Sequence, residues 1–128
     1  MHKDEVNLMS TRARNFFEAA KQRFQAKDWD LTIFLAEQSI LLLLKSKLLE
    51  IGGESPKSHS LRKLFGMLYK LTQDDGFIYD RKDLIFLENA YYNTRDIEFY
   101  YEKEDAELAL KIVRDVIEIV RKNEDNAF

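Results

Sequence analysis

Asp28-Trp29-Asp30-Leu31-Thr32-Ile33-Phe34-Leu35-Ala36-Glu37-Gln38-Ser39-Ile40-Leu41-Leu42-Leu43-Leu44-Lys45-Ser46-Lys47-Leu48-Leu49-Glu50-Ile51-Gly52-Gly53 is the stretch on which the fold turns. Asp28 is an N-cap residue type placed before a long breaker-free run, and Gly52-Gly53 ends that run as glycine commonly ends helices. The spacing predicts one helix over Trp29–Ile51. Apolar side chains at Leu31, Ile33, Phe34, Leu35, Ile40 to Leu44, Leu48 and Leu49 cover most of its circumference. A helix apolar on several faces must be covered on several faces. It is therefore either the centre of a bundle or shared with a second subunit.

The flanking sequence supplies the cover. Val6, Met9, Ala13, Phe16, Phe17, Ala20 and Phe24 recur at steps of three and four, which predicts a first helix over about Asp4–Ala26. Glu54 to His59 reads as a loop because Pro56 blocks helix and biases Ser55 toward an extended backbone. Ser58 is the expected cap of a third helix, Leu61–Leu71, with Leu61, Leu64, Phe65, Leu68 and Leu71 as its stripe. A polar turn over Thr72–Gly76 precedes a fourth helix, about Asp80–Asn93. Asn93 to Lys103 has no clean period and reads as a loop. The last helix spans about Glu104–Lys122, with a seam of Ala106, Ala109, Leu110, Val113, Val116, Ile117 and Val120. The expected fold is all-α, an antiparallel bundle of about five helices. It forms a single domain over residues 1–128 with its core at about 10–122.

Whole-chain quantities narrow the function classes. The 128 residues fit one domain and can bury a core without staples. Cysteine is absent, which excludes disulfides and thiolate chemistry. Net charge is −3, from 20 basic and 23 acidic residues, so an overall basic footprint for nucleic acid is lacking. The charged start Met1-His2-Lys3-Asp4-Glu5 leads into no apolar signal core. The aliphatic run Ile40 to Leu44 is too short to span a bilayer. A soluble, cytoplasmic protein with no membrane partner is expected.

Several enzyme chemistries lack their residues. His2 and His59 are the only histidines, and neither follows a glutamate three positions earlier, as carboxylate-bridged metal sites in helix bundles require. Gly52-Gly53 lacks the spacing and the lysine–serine/threonine ending of a phosphate loop. No metal or cofactor is implied, and the abundant carboxylates are expected mostly on outward faces. Two roles fit His59 beside Ser58: a phosphate or nucleotide contact at a helix N-terminus, or an anchor for the proline turn. In Tyr91-Tyr92-Asn93-Thr94-Arg95-Asp96-Ile97-Glu98-Phe99-Tyr100-Tyr101, Arg95 is placed to clamp a phosphate, or to pair with Asp96, Glu98 or Glu102. The tyrosines are expected to pack. Arg12, Arg14, Lys21 and Arg23 on the first helix are expected to be a solvated exterior, with Glu18 as a local partner.

The order of features resembles a known family. Ala13-Arg14-Asn15-Phe16-Phe17-Glu18-Ala19-Ala20-Lys21 is followed by Asp28-Trp29-Asp30-Leu31, Phe34-Leu35-Ala36-Glu37-Gln38 and Leu44-Lys45-Ser46-Lys47-Leu48-Leu49. Then come Gly52-Gly53-Glu54-Ser55-Pro56-Lys57-Ser58-His59-Ser60-Leu61, Tyr92-Asn93-Thr94-Arg95-Asp96 and the Glu104-Asp105-Ala106-Glu107 helix start. Together they look like HEPN domains, over about residues 10 to 122. The resemblance implies a helical bundle that usually dimerises. Many members are ribonucleases or toxins, often paired with a small nucleotidyltransferase as antitoxin. Others are noncatalytic RNA- or nucleotide-binding modules.

Catalytic relatives carry arginine, four to six residues, then histidine, commonly with a polar residue after the arginine. Arg95 and Asp96 match the first part, but positions 100 to 102 are Tyr100, Tyr101 and Glu102. The imidazole that works as acid or base near neutral pH is missing. Tyrosine, with a reference pKa of about 10, is a poor substitute. Where many relatives place Glu-Lys after Ala-Glu-Gln, this chain has Leu41 and Leu42. The expected function is a noncatalytic nucleotide- or RNA-binding module, a homodimer or the partner of a nucleotidyltransferase, with Arg95, Asn93 and His59 as ligand contacts. The alternatives are a ribonuclease toxin with a degenerate site around Arg95, Asp96, Tyr100 and Tyr101, and a helical interaction protein without ligand. In some relatives an antitoxin modifies a tyrosine beside the arginine–histidine motif, and Tyr100 and Tyr101 occupy that neighbourhood.

Overall fold

In the computed structural model, which describes residues 3–93 and 100–124 but not the side chain of Tyr91, Asp28 caps the central helix as its residue type predicts. Its Oδ1 accepts from Leu31 N at 3.3 Å, and α2 runs Trp29–Gly52. Gly53 closes α2 at φ 76°, and its N–H donates to Leu49 O. Helix α1 spans Lys3–Gln25. Its tight exit carries a left-handed Lys27 at φ 62°, and Asp28 N donates back to Arg23 O at 2.9 Å. That is the glycine-type helix ending with lysine in the strained position.

Small residues let α1 and α2 approach closely. Ser39 Oγ donates to Ala13 O at 2.7 Å, and Ser10 Oγ and Ser46 Oγ lie 2.9 Å apart. Partner numbers fall on one helix as they rise on the other, so the two run antiparallel. The last helix, α6 (Lys103–Lys122), runs beside α2 in the same direction, since Asp30 Oδ1 accepts from Tyr101 N and Asn123 O accepts from Lys47 Nζ. The chain makes that return through α3 (Leu61–Thr72), a 3-10 turn (Asp75–Phe77), α4 (Arg81–Glu88) and a short α5 (Ala90–Asn93).

Helix α2 is the centre of the bundle, because α1, α3, α4, α5 and α6 all pack on it. Ile33, Ala36, Ile40 and Leu44 are fully buried, and Leu41 nearly so. Each fully buried isoleucine or leucine among them contributes about 1.5–3 kcal/mol. The α6 seam holds as expected at Ala106, Ala109, Leu110, Val113 and Val116, with Ile112 joining it.

Two local expectations need correction. Ser60, not Ser58, caps α3, accepting from Lys63 N at 3.3 Å; Ser58 Oγ instead accepts from Ser60 N and shapes the turn before it. The fourth helix is interrupted at Asn89, where a turn separates α4 from α5. The polar segment before α4 contains the 3-10 turn. There Phe77 is buried and a Cβ on Gly76 would collide with Ile119. Among the described residues no helix is long and apolar enough to cross a membrane.

Candidate functional site

A cleft of about 590 Å³ opens where α2, the start of α3 and the α4–α5 junction meet. That size is within the range of small-molecule sites. Glu37 and Gln38 of α2 contribute to its lining, and Glu37 is only 4% exposed. A carboxylate is almost never buried so fully without a cation, yet among the described residues Glu37 has no ion pair. Its Oε2 accepts from Gln38 Nε2 at 2.7 Å.

The opposite wall is an ion pair between elements distant in sequence. Arg62 Nε donates to Glu88 Oε1 at 2.7 Å and to Oε2 at 3.2 Å. Ser60, already capping α3, donates to the same carboxylate at 3.5 Å. His59 and Tyr92, both exposed, also line the cleft, as does Asn89.

Burial pushes the Glu37 carboxyl up to about 7. The Gln38 hydrogen bond opposes the rise, Glu88 adds to it, and Lys45 opposes it. Lys45 is shifted below its ordinary value by burial, against the pull of Glu37. A carboxyl that changes charge near neutrality can move a proton, or couple proton uptake to ligand binding.

The residues singled out by sequence fall differently. Arg95 and Asp96 lie outside the described residues. Tyr101 is buried, stacks edge-on against Phe86 with centroids 5.7 Å apart, and receives a hydrogen bond from Asn93 Nδ2 at 3.0 Å. Burial raises its hydroxyl pKa, with Asn93 opposing and Asp30 and Asp105 adding to the rise. Tyr101 is thus a packing anchor, as expected of these tyrosines, whereas Tyr92 and Tyr100 are 71% and 73% exposed. Asn93 is committed to Tyr101, and His59 reaches the cleft. On α1, Lys21 pairs with Glu18 at 2.7 Å, as expected.

Sequence reasoning missed Glu37, Gln38, Arg62 and Glu88 as a group, and its placing of carboxylates on outward faces fails at Glu37. A usable signal was present: a lone glutamate inside the most apolar helix of the chain is either paired or functional. A second groove, of about 460 Å³, lies between α1 and α6. Its cations Lys21 and Arg114 lie over the Phe17 ring, 4.7 and 5.9 Å from the centroid. That arrangement explains them as packing.

A family model described as HEPN domain matches residues 6–123 of the 128. Comparison with curated proteins gives no match.

Proposed function

The chain belongs to the HEPN domain family, and from that premise we propose that it is a noncatalytic nucleotide- or RNA-binding module whose site is the Glu37–Arg62 cleft. Membership supports a nucleotide- or RNA-related role in general. The observation that carries the noncatalytic part is Tyr101. It occupies one of the positions where ribonuclease relatives hold histidine, and it is sealed into the core with its hydroxyl pKa raised. A buried phenol of this kind is a poor proton shuttle at neutral pH.

The same resemblance supports a homodimer, or a pairing with a small nucleotidyltransferase, in the cytoplasm. A second reading, a ribonuclease with a degenerate site, is favoured by one observation: Glu37, with its carboxyl at about 7, stands in the cleft that His59 lines.

RNA binding and cleavage by the purified chain separate the two, with Arg95→Ala as control and light scattering on the same sample. Salt-sensitive binding without cleavage by a dimer is the expected result. Cleavage abolished by Arg95→Ala would overturn the noncatalytic assignment, and a strict monomer at micromolar concentration would overturn the dimer.

A further inference from the structure

We propose that the cleft takes a guanine base, with Glu37 and Gln38 accepting its N1–H and N2–H donors and Arg62 and His59 lying toward its phosphate. The assignment builds on the nucleotide-binding function proposed above and names the ligand of the same site.

The α2 side of the cleft offers acceptors. The Gln38 amide nitrogen is already committed to Glu37 Oε2, which leaves the Gln38 carbonyl and the second Glu37 oxygen. Among the described residues, neither has another hydrogen bond. Carboxylate and carbonyl oxygens are acceptors only, so a ligand edge that meets them must supply donors. The best ligand edge is therefore one with adjacent donors.

Guanine alone among the four RNA bases presents that edge, its N1–H beside its N2 amino group. Adenine and cytosine place an amino group beside a ring acceptor, and uracil places one N–H between two carbonyls. Against paired acceptors each of these puts oxygen or a lone pair where a donor is needed.

The opposite side of the cleft adds a guanidinium, paired with the Glu88 carboxylate. Arg62 binds Glu88 through Nε and its side chain is 44% exposed, so the terminal nitrogens remain donors to an incoming anion. His59 and Tyr92 are exposed on the cleft lining. Acceptors on one wall and a guanidinium with free terminal donors on the other match a nucleotide held by its base and its phosphate.

The test is calorimetric titration of the full chain at pH 8, where the Glu37 carboxyl is largely ionised. The probes are guanosine, inosine, adenosine and uridine monophosphates, together with oligouridylate with and without one guanosine. Guanosine monophosphate is expected to bind tightest. Inosine monophosphate, lacking only the N2 amino group, should be weaker by about tenfold. Glu37→Gln, which puts an amide N–H where the base needs an acceptor, should bring guanosine monophosphate down toward the adenosine and uridine values; its melting curve reports folding, and the wild-type series stands without it. Preference for guanosine in the oligonucleotide pair alone assigns the base to RNA, and preference with the mononucleotides as well assigns it to a free nucleotide; both support the proposal. Equal affinity for all four mononucleotides, with no effect of the single guanosine, overturns the guanine assignment while leaving nucleotide binding intact. No binding of any mononucleotide or oligonucleotide overturns both.

Discussion

Glu37 links stability to protonation more directly than any other side chain of the cleft. Its carboxyl is raised from 4.5 to about 7, first by burial. For an acid raised on folding, the stabilising contribution is complete below the unfolded pKa and is lost as pH rises through the folded one. The window is therefore about 4.5 to 7, and the shift corresponds to about 3 kcal/mol. Glu37→Gln removes the titration while keeping the shape and a carbonyl that accepts from Gln38. Chemical denaturation at pH 5 and pH 8 checks this: the variant should gain about 2–3 kcal/mol on the wild type between the two. Parallel changes in both proteins would show that Glu37 ionises freely in the fold. That this carboxyl matters was half legible, since the sequence places it inside an apolar helix. The cleft was not legible, because Glu88 meets Arg62 across 26 positions and no local rule brings them together.

Helix ends were read well where the cap is a local matter and less well where neighbours decide. Asp28 and Gly53 end α2 where their residue types predict. The α3 start at Leu61 was read correctly, but its cap was placed two residues early because Ser58 and Ser60 are both capping types. Only Ser60 has Lys63 N and Glu88 to bind, while Ser58 bonds back to Ser60 itself. The break at Asn89 was invisible in the apolar pattern, which runs on from Leu87 to Ala90, both fully buried. The two glycines that end α2 give a sharper test of the cap. Gly53 sits at φ 76°, where a side chain is strained, whereas a Cβ on Gly52 would make ordinary contact, 3.4 Å from Leu71 Cδ1. Gly53→Ala should cost about 1 kcal/mol. Gly52→Ala should be neutral or stabilise slightly, as alanine favours the helix. Thermal melts of the two variants check the order, and an equal loss in both would contradict a cap centred on Gly53.

At the scale of the whole molecule, the bundle is closed at the end of α2 by a polar network rather than by more apolar packing. Lys47 Nζ donates to Glu50 Oε1 at 2.6 Å and to Asn123 O at 3.4 Å, and its side chain is 2% exposed. Asn123 Nδ2 donates to Asp74 Oδ2 at 3.1 Å, and Asp74 Oδ1 accepts from Gly76 N in the 3-10 turn. The network thus joins α2, the end of α6 and the connection after α3, which the sequence separates widely. A buried ion pair stabilises less than its short distance implies, since both charges lose water, while a buried charge left alone is strongly unfavourable. The two single changes should therefore differ. Lys47→Met removes the buried ammonium and fills its space with an apolar chain, so stability should change by less than about 1 kcal/mol. Glu50→Ala leaves the ammonium buried with only the long contact to Asn123 O. It should cost about 1–3 kcal/mol, the lower end reflecting the partial exposure of Glu50. Urea denaturation of both variants decides the point. Greater loss in Lys47→Met would mean that the pair, and not the packing around it, holds the ends of α2 and α6 together.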